Sequence, residues 1–431
     1  MEMEKNLFLF DKNKCVGCGA CAVACMNENG YQSPDRWRNI HSTNPLHHPF
    51  LPLNYLSLAC NHCDDAPCLK NCPAMAYHRD DKSGAMIHTA EKCIGCKYCT
   101  WACPFDAPKY NPSLGVVEKC TFCHHRLEEG KPPACANLCP TGALKYDKQI
   151  FNREDSKASA PVPVDVGSHF KQVELRKLEG PEVDPMLFFC VKPDLTHSSK
   201  LKITALKEWP LVVFSLIASS LVAIEWLQLI TNEHLMGKWL FLAFGAIAAF
   251  LSTLHLGHKG RAWRSLLHIH SSWLSREILF FSLFLGTLLV DWFIYPLPAV
   301  IPGLMGVGLL FSIDMLYTIA MWRWPVKIHS AQTLLMATSL FFLIKVLPVI
   351  FLVLVVGRVV FFLMHQKSTK KQSVLLVSLR VGLLLIATIG LFWGVDLVWL
   401  VATFMVGEII DRIVFYNQLK VPDVSEDIRL N

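Results

Sequence analysis

Sixteen of the chain's 17 cysteines fall into four groups of four between Cys15 and Cys139, and no other feature limits the possible folds so tightly. The groups are Cys15, Cys18, Cys21 and Cys25 in CVGCGACAVAC; Cys60, Cys63, Cys68 and Cys72 in CNHCDDAPCLKNCP; Cys93, Cys96, Cys99 and Cys103 in CIGCKYCTWACP; and Cys120, Cys123, Cys135 and Cys139 in CTFCHHRLEEGKPPACANLCP. Four thiolates are what one [4Fe-4S] cube needs, so sixteen fit four cubes. In a C-x2-C-x2-C-x3-C-P run the first three cysteines bind one cube and the fourth reaches a second. Each fourth cysteine must therefore cross to a partner group, and spacing alone permits several pairings. Zinc is the competing ligand, because paired C-x2-C units also build structural zinc sites. The first and third groups argue against it, since C-x2-C-x2-C wraps three thiolates around one cube whereas zinc sites use separated pairs. No zinc is expected. Cys190, beside Phe188 and Phe189, reads as a buried apolar thiol.

A shorter repeat runs through the same region. CPAMAYH (72–78), CPFDAPKY (103–110) and CPTGALKY (139–146) share Cys-Pro, an alanine three residues after the proline, and then an aromatic. AYHRDDKSGAMIH reads as two short strands around the turn DDKSG. This is ferredoxin grammar, repeated to give two double-cluster modules. Cysteine-rich chains are often secreted disulfide scaffolds. The start MEMEKNLFLFDKNKC shows no basic, apolar or twin-arginine targeting segment, so metal ligation is the better expectation. A net charge of +6 is modest and gives no nucleic-acid signal.

Beyond the cysteines the chain changes character, which is why 431 residues can be 52% hydrophobic and only 18% charged. A bilayer needs about 20 apolar residues per helical span. Such segments lie near 209–230, 239–257, 277–295, 298–320, 331–345, 346–365, 374–393 and 395–416. The fifth and sixth are divided by a sharp turn at Lys345 and Pro348; undivided, they would leave seven spans. The expected fold is thus an α+β double ferredoxin-like iron–sulfur domain followed by an all-α polytopic membrane domain of about eight helices. Domain boundaries are expected at 1–197 (with a connector-like tail at 151–197), 198–208 for a linker, 209–420 for the membrane domain and 421–431 for a polar tail.

Ionisable residues in spans are costly and tend to face protein or water. Asp291, Asp396, Glu408, Asp411 and Arg412 sit with most of the others near predicted ends, and Arg358 and Arg380 are expected to snorkel. Glu225 and Asp314 lie deeper and are functional candidates. In STLHLGHKGRAWRSLLHIHSSWLSRE (252–277), His255 closes the second span and a basic, histidine-bearing loop follows. A histidine at the water boundary suits the proton that a hydroquinone releases on oxidation. The remaining histidines after 208 lie in loops or at span ends, so no haem is expected.

The four groups, with KCTFC…GKPPAC…CPTGAL over about residues 5–150, resemble the four-cluster iron–sulfur subunit of dimethyl sulfoxide reductase and related molybdopterin oxidoreductases. HLG…RA…L…SWLSRE with GEIIDRIVFY (407–416) resembles that enzyme's eight-helix anchor subunit, so the chain looks like a fusion of the two. The resemblance implies nested ligand sets. One cube takes Cys15, Cys18, Cys21 and Cys139; a second takes Cys120, Cys123, Cys135 and Cys25. The inner cubes take Cys60, Cys63, Cys68 with Cys103, and Cys93, Cys96, Cys99 with Cys72. It also implies that His255 belongs to a menaquinol site and that electrons leave to a separate molybdopterin-containing catalytic subunit, in anaerobic respiration. The same wire run in reverse from a formate or hydrogen dehydrogenase, or a subunit of an ion-translocating redox complex, are the alternatives.

Charge placement bears on orientation in the cytoplasmic membrane. With eight spans, Lys200, Lys202, Lys207, Lys259, Arg261, Arg264, Arg276, Arg323, Lys327, Lys367, Lys370, Lys371 and Lys420 share the side of the cysteines, against Lys238 and Lys345 opposite. Lys/Arg-rich loops stay in the cytoplasm, so the iron–sulfur domain is expected there, although the best-known relatives face outward.

Overall fold

The computed structural model describes residues 3–30, 36–44, 53–151, 203–231, 235–298, 300–321, 324, 327–368 and 374–419. The connector-like tail with Cys190, most of the linker and the tail at 421–431 lie outside the described residues.

The cysteine region is built from two-stranded antiparallel units with cysteine-bearing turns between them. β1 (Met3–Phe10) pairs with β8 (Leu144–Phe151), β2 (Asn39–Ser42) with β3 (Tyr55–Leu58), β4 (Tyr77–Arg79) with β5 (Met86–His88), and β6 (Lys109–Asn111) with β7 (Val116–Glu118). β4 and β5 flank the turn read from DDKSG. In the outermost pair Phe10 stands opposite Leu144, which brings the turn carrying Cys15 beside the one carrying Cys139.

Between the strands lie five short helices: α1 (Ala20–Asn29), α2 (Pro67–Asn71), α3 (Tyr98–Ala102), α4 (His124–Glu128) and α5 (Ala134–Asn137). Glu28 of α1 accepts from Arg126 of α4 at 2.7 Å, tying the first cysteine group to the last. The proline repeat has one local cause. Met75, Asp106 and Gly142, each third after its cysteine, all take positive φ (50°, 52° and 63°), turning the chain sharply out of the helix. The following Ala76, Ala107 and Ala143 are buried.

After residue 203 the described residues form eight α-helices: α6 (Trp209–Thr231), α7 (Lys238–Leu254), α8 (Trp273–Phe293), α9 (Val300–Tyr317), α10 (Thr333–Ile344), α11 (Pro348–Ser368), α12 (Val374–Phe392) and α13 (Leu397–Gln418). The break between α10 and α11 falls at Lys345, with Val346 at φ 55° and Pro348 opening the next helix, where its missing N–H costs nothing. By length and composition α6, α8 and α9 can each cross a bilayer, and α7 makes a fourth with the 3-10 segment Lys259–Leu266, which bends away by 103°. α10 is shorter. α13 is long enough but carries Glu408, Asp411 and Arg412.

α6 packs against α7, α9, α10 and α13 and so lies at the centre of the bundle. Trp239, Tyr295, Trp393 and Trp399 stand exposed at the helix ends away from the cysteines, as aromatic side chains do at a bilayer boundary.

Candidate functional site

The first C-x2-C loop of each group is shaped by one residue in the left-handed region immediately before its second cysteine: Gly17 (φ 69°), His62 (47°), Gly95 (71°) and Phe122 (61°). That turn aims backbone N–H groups inward. His62 N, Gly95 N and Phe122 N each donate to the sulfur of the cysteine two residues earlier at 3.4 Å. Ala76 N donates to Cys72 Sγ at 3.3 Å, and Leu144 N to Cys139 Sγ at 3.4 Å. Amide donors converging on sulfur stabilise thiolate charge.

The helices then sort the cysteines. The third and fourth of each group are four apart: Cys21 and Cys25, Cys68 and Cys72, Cys99 and Cys103, Cys135 and Cys139. One helical turn separates them, about 5–6 Å between Cβ atoms. The third turns towards its own loop and the fourth towards another.

Cys15 thus lies within electrostatic reach of Cys18, Cys21 and Cys139. Cys120 lies near Cys25 and Cys135, and Cys123 near Cys135. Cys63, Cys68 and Cys103 surround Cys60. Cys96 and Cys99 face Cys72 and Cys93. Cys120 is also near Cys60, which links the second nest to the third.

Two observations fit these nests to iron–sulfur clusters. Burial above all pushes Cys63, Cys68 and Cys103 up to about 12; neighbouring thiols add to it, and at Cys68 the Lys119 cation opposes it. Such thiols ionise only beside strong positive charge, which iron supplies. Finally, Arg38 and Lys119 are each 2% exposed, and among the described residues neither has a carboxylate partner. An unpaired buried cation is expensive unless anionic sulfur faces it.

The Cys93–Cys99 loop docks directly on the helices. Gly95, Gly115 and Gly257 meet backbone to backbone; a Cβ on Gly257 would collide with the Gly115 oxygen. His258 N donates to the Ile94 carbonyl at 3.1 Å, and Arg261 to those of Ala90 and Cys93 at 2.9 and 3.2 Å. His268, Ser271 and Ser272 bond to the carbonyls of Cys72, Lys70 and Asn71 at 2.9, 2.7 and 3.3 Å, occupying the open C-terminal end of α2. Tyr98 donates to the Leu316 carbonyl at 3.1 Å, and Trp101 stacks on Tyr317. The loop after His255 thus directs its polar groups onto the cysteine domain.

His255 caps the end of α7, half-buried and near the ammonium of Lys97, a residue of the Cys96–Cys99 loop that pairs with Glu208 at 3.5 Å. Glu225 is buried in α6 with one carboxylate oxygen lacking a hydrogen bond. It sits sixteen residues past Trp209, about 24 Å along the helix, near Asp291 at the end away from the cysteines. The fold therefore does not bring Glu225 to His255. Asp314 accepts from Thr333 N at 2.6 Å, Thr333 Oγ1 at 2.9 Å and Leu334 N at 3.2 Å, capping the start of α10. Capping accounts for its depth.

Sequence reasoning passed over Glu277, the last residue of SWLSRE. It is 4% exposed, on the cysteine-facing turn of α8, with Tyr98, Tyr317 and Tyr416 around it. An acidic residue inside the start of an apolar run was the available signal.

Arg358 and Arg380 do not snorkel. Both are at most 1% exposed: Arg358 donates to Glu408 at 2.6 Å and Arg380 to Asp411 at 2.6 Å. Ser330 donates to the other Asp411 oxygen at 2.9 Å, and the Ser330 carbonyl accepts from Arg358. The charges found partners inside the bundle.

Residues 51–149 match the family model described as a 4Fe-4S dicluster domain, and residues 203–403 match that described as the DMSO reductase anchor subunit (DmsC). The B subunit of the anaerobic dimethyl sulfoxide reductase of Escherichia coli (strain K12) is 36% identical over 167 residues, covering 36% of this sequence and 81% of that protein. The thiosulfate reductase electron transfer subunit PhsB of Salmonella typhi is 34% identical over 176 residues, covering 36% and 88%. The arsenate respiratory reductase iron-sulfur subunit ArrB of Shewanella sp. (strain ANA-3) is 34% identical over 183 residues, covering 31% and 78%.

Proposed function

Because this protein belongs to the family of the dimethyl sulfoxide reductase iron–sulfur subunit, joined here to an anchor of the same enzyme's type, we propose that it oxidises menaquinol beside His255 and passes the electrons through four [4Fe-4S] clusters to a separate molybdopterin-containing catalytic subunit. The observation that carries this reading is the docking of the Cys93–Cys99 loop on the end of α7, which sets one nest against the helices. The proposed ligand sets are Cys15, Cys18, Cys21, Cys139; Cys25, Cys120, Cys123, Cys135; Cys60, Cys63, Cys68, Cys103; and Cys72, Cys93, Cys96, Cys99. Their electrostatic neighbours support these sets.

When bound, the clusters supply one-electron transfer and no bond chemistry. The helices handle the protons. A quinol gives up two electrons and two protons; His255 takes one proton and Glu277 the other, each at the cysteine-facing end of its helix. Tyr98, Trp101 and Tyr317 close the joint with aromatic surface and exclude water from it. The Lys97–Glu208 pair holds the loop between them.

His255→Ala tests the reading. Menaquinol oxidation should fall about 10²–10⁴-fold, as for loss of a general base. Electrons from reduced viologen should still reach the catalytic partner. Unchanged quinol turnover would overturn the assignment. A second reading, an ion-translocating subunit, gains support from the Arg358–Glu408 and Arg380–Asp411 pairs buried within the bundle.

A further inference from the structure

The cysteine domain contains two buried cations that the reading above leaves without a task. Arg38 precedes β2 and is 2% exposed. Its guanidinium donates to Ser57 Oγ at 3.1 Å and to the Ser57 carbonyl at 3.3 Å, and lies over the Phe8 ring at 4.8 Å. Ser57 Oγ in turn sits 3.2 Å from Cys21 Sγ. Among the described residues, the ionisable groups that act most strongly on Arg38 are thiols of two nests: Cys135, Cys120 and Cys25 from one, Cys21 from the other.

Lys119 is also 2% exposed. Its ammonium donates to the carbonyls of Met86 and Cys120, the latter at 2.9 Å, and lies within electrostatic reach of Cys68. Arg38 thus stands between the first and second nests, and Lys119 between the second and third.

The nest docked on the helices is different. Lys97 beside it is partly exposed and neutralised by Glu208 at 3.5 Å, and Arg261 reaches the Cys93 carbonyl from a half-buried position. Solvent and the ion pair screen both.

We propose that Arg38 and Lys119 set the reduction potentials of the clusters they stand between, raising them and so drawing electrons away from the membrane helices. This rests on the cluster reading above. A cube held by four thiolates is anionic, and each arriving electron adds one negative charge. A nearby cation stabilises the reduced form more than the oxidised one, and most strongly where no water intervenes. The gradient favours flow from quinol towards the catalytic partner, the direction the sequence left open.

Redox titration of the purified complex by electron paramagnetic resonance tests this. Iron content and the number of signals in the unmodified protein are measured first, so that failure of the four-cluster reading shows there, independently of any variant. In Arg38→Met with iron intact, the midpoints of two signals should shift to lower potential while the others hold. Arg38→Lys should stay near the parent. Lys119→Met should lower a partly different pair. Unchanged midpoints in fully loaded Arg38→Met and Lys119→Met would overturn the proposal. So would equal shifts in Arg38→Met and Arg38→Lys, or loss of iron from both, which would reduce Arg38 to packing.

Discussion

Gly257 shows how much one absent side chain decides. Its neighbours are the Gly115 carbonyl and the Gly95 backbone, so the loop reaches the nest only because three glycines meet there. Gly257→Ala forces the surfaces apart, and an overpacked contact costs about 1–3 kcal/mol. The expected outcome is a lower thermal transition and slower reduction of the clusters by quinol, with iron content unchanged. Gly260→Ala, with nothing within 4 Å of its added Cβ, should behave as the parent. Equal effects of the two would remove the joint's dependence on backbone contact. The HLG motif was legible in the sequence, but only for its histidine. That the glycine matters comes from Gly95 and Gly115, more than 140 residues earlier, and no local pattern announces such a partner.

At the scale of elements, α11, α12 and α13 are held together by charge. Arg358, Arg380, Glu408 and Asp411 come from three helices, with Ser330 supplied by the segment before α10. Removing one partner of a buried pair costs about 3–5 kcal/mol, because the other charge is stranded. Arg358→Met should therefore destabilise the detergent-solubilised protein by that amount, followed by helical circular dichroism during heating. The double variant Arg358→Met/Glu408→Leu should recover most of the loss. A double variant as unstable as the sum of the singles would show that the pair is not the unit.

The helices themselves were readable: the apolar windows at 209–230 and 374–393 coincide with α6 and α12 to within a residue, because window length and composition alone set them. The pairing was not. Arg358 and Glu408 are 50 residues apart, and a windowed reading sees only two charges, each costly by itself. Arg38 was illegible for the same reason, since its role depends on thiols from three other segments.

For the whole molecule, several of the described basic residues, Lys97, Arg261 and Arg276 among them, lie where cysteine domain and helices meet. Arg261 and Arg276 are bonded to carbonyls there, and both belong to the Lys/Arg count that sets orientation. We propose that the cysteine domain faces the cytoplasm. Protease added outside intact cells should leave residues 152–202 uncut, and should cut them in inside-out vesicles. Cleavage from the outer face alone would reverse the orientation.

The crossing of each fourth cysteine into another nest has a consequence for biosynthesis. With the ligand sets proposed above, both inner sets are complete once Cys103 has been made. Neither outer set is complete until Cys135 and Cys139 follow, and β1 must wait for β8 to close the domain. The donor sets of an emerging polypeptide are therefore completed in a fixed order, centre first and periphery last. A polypeptide cut short between residues 104 and 134 would carry an inner half with its full donor complement beside an outer half whose thiols are still incomplete and open to oxidation.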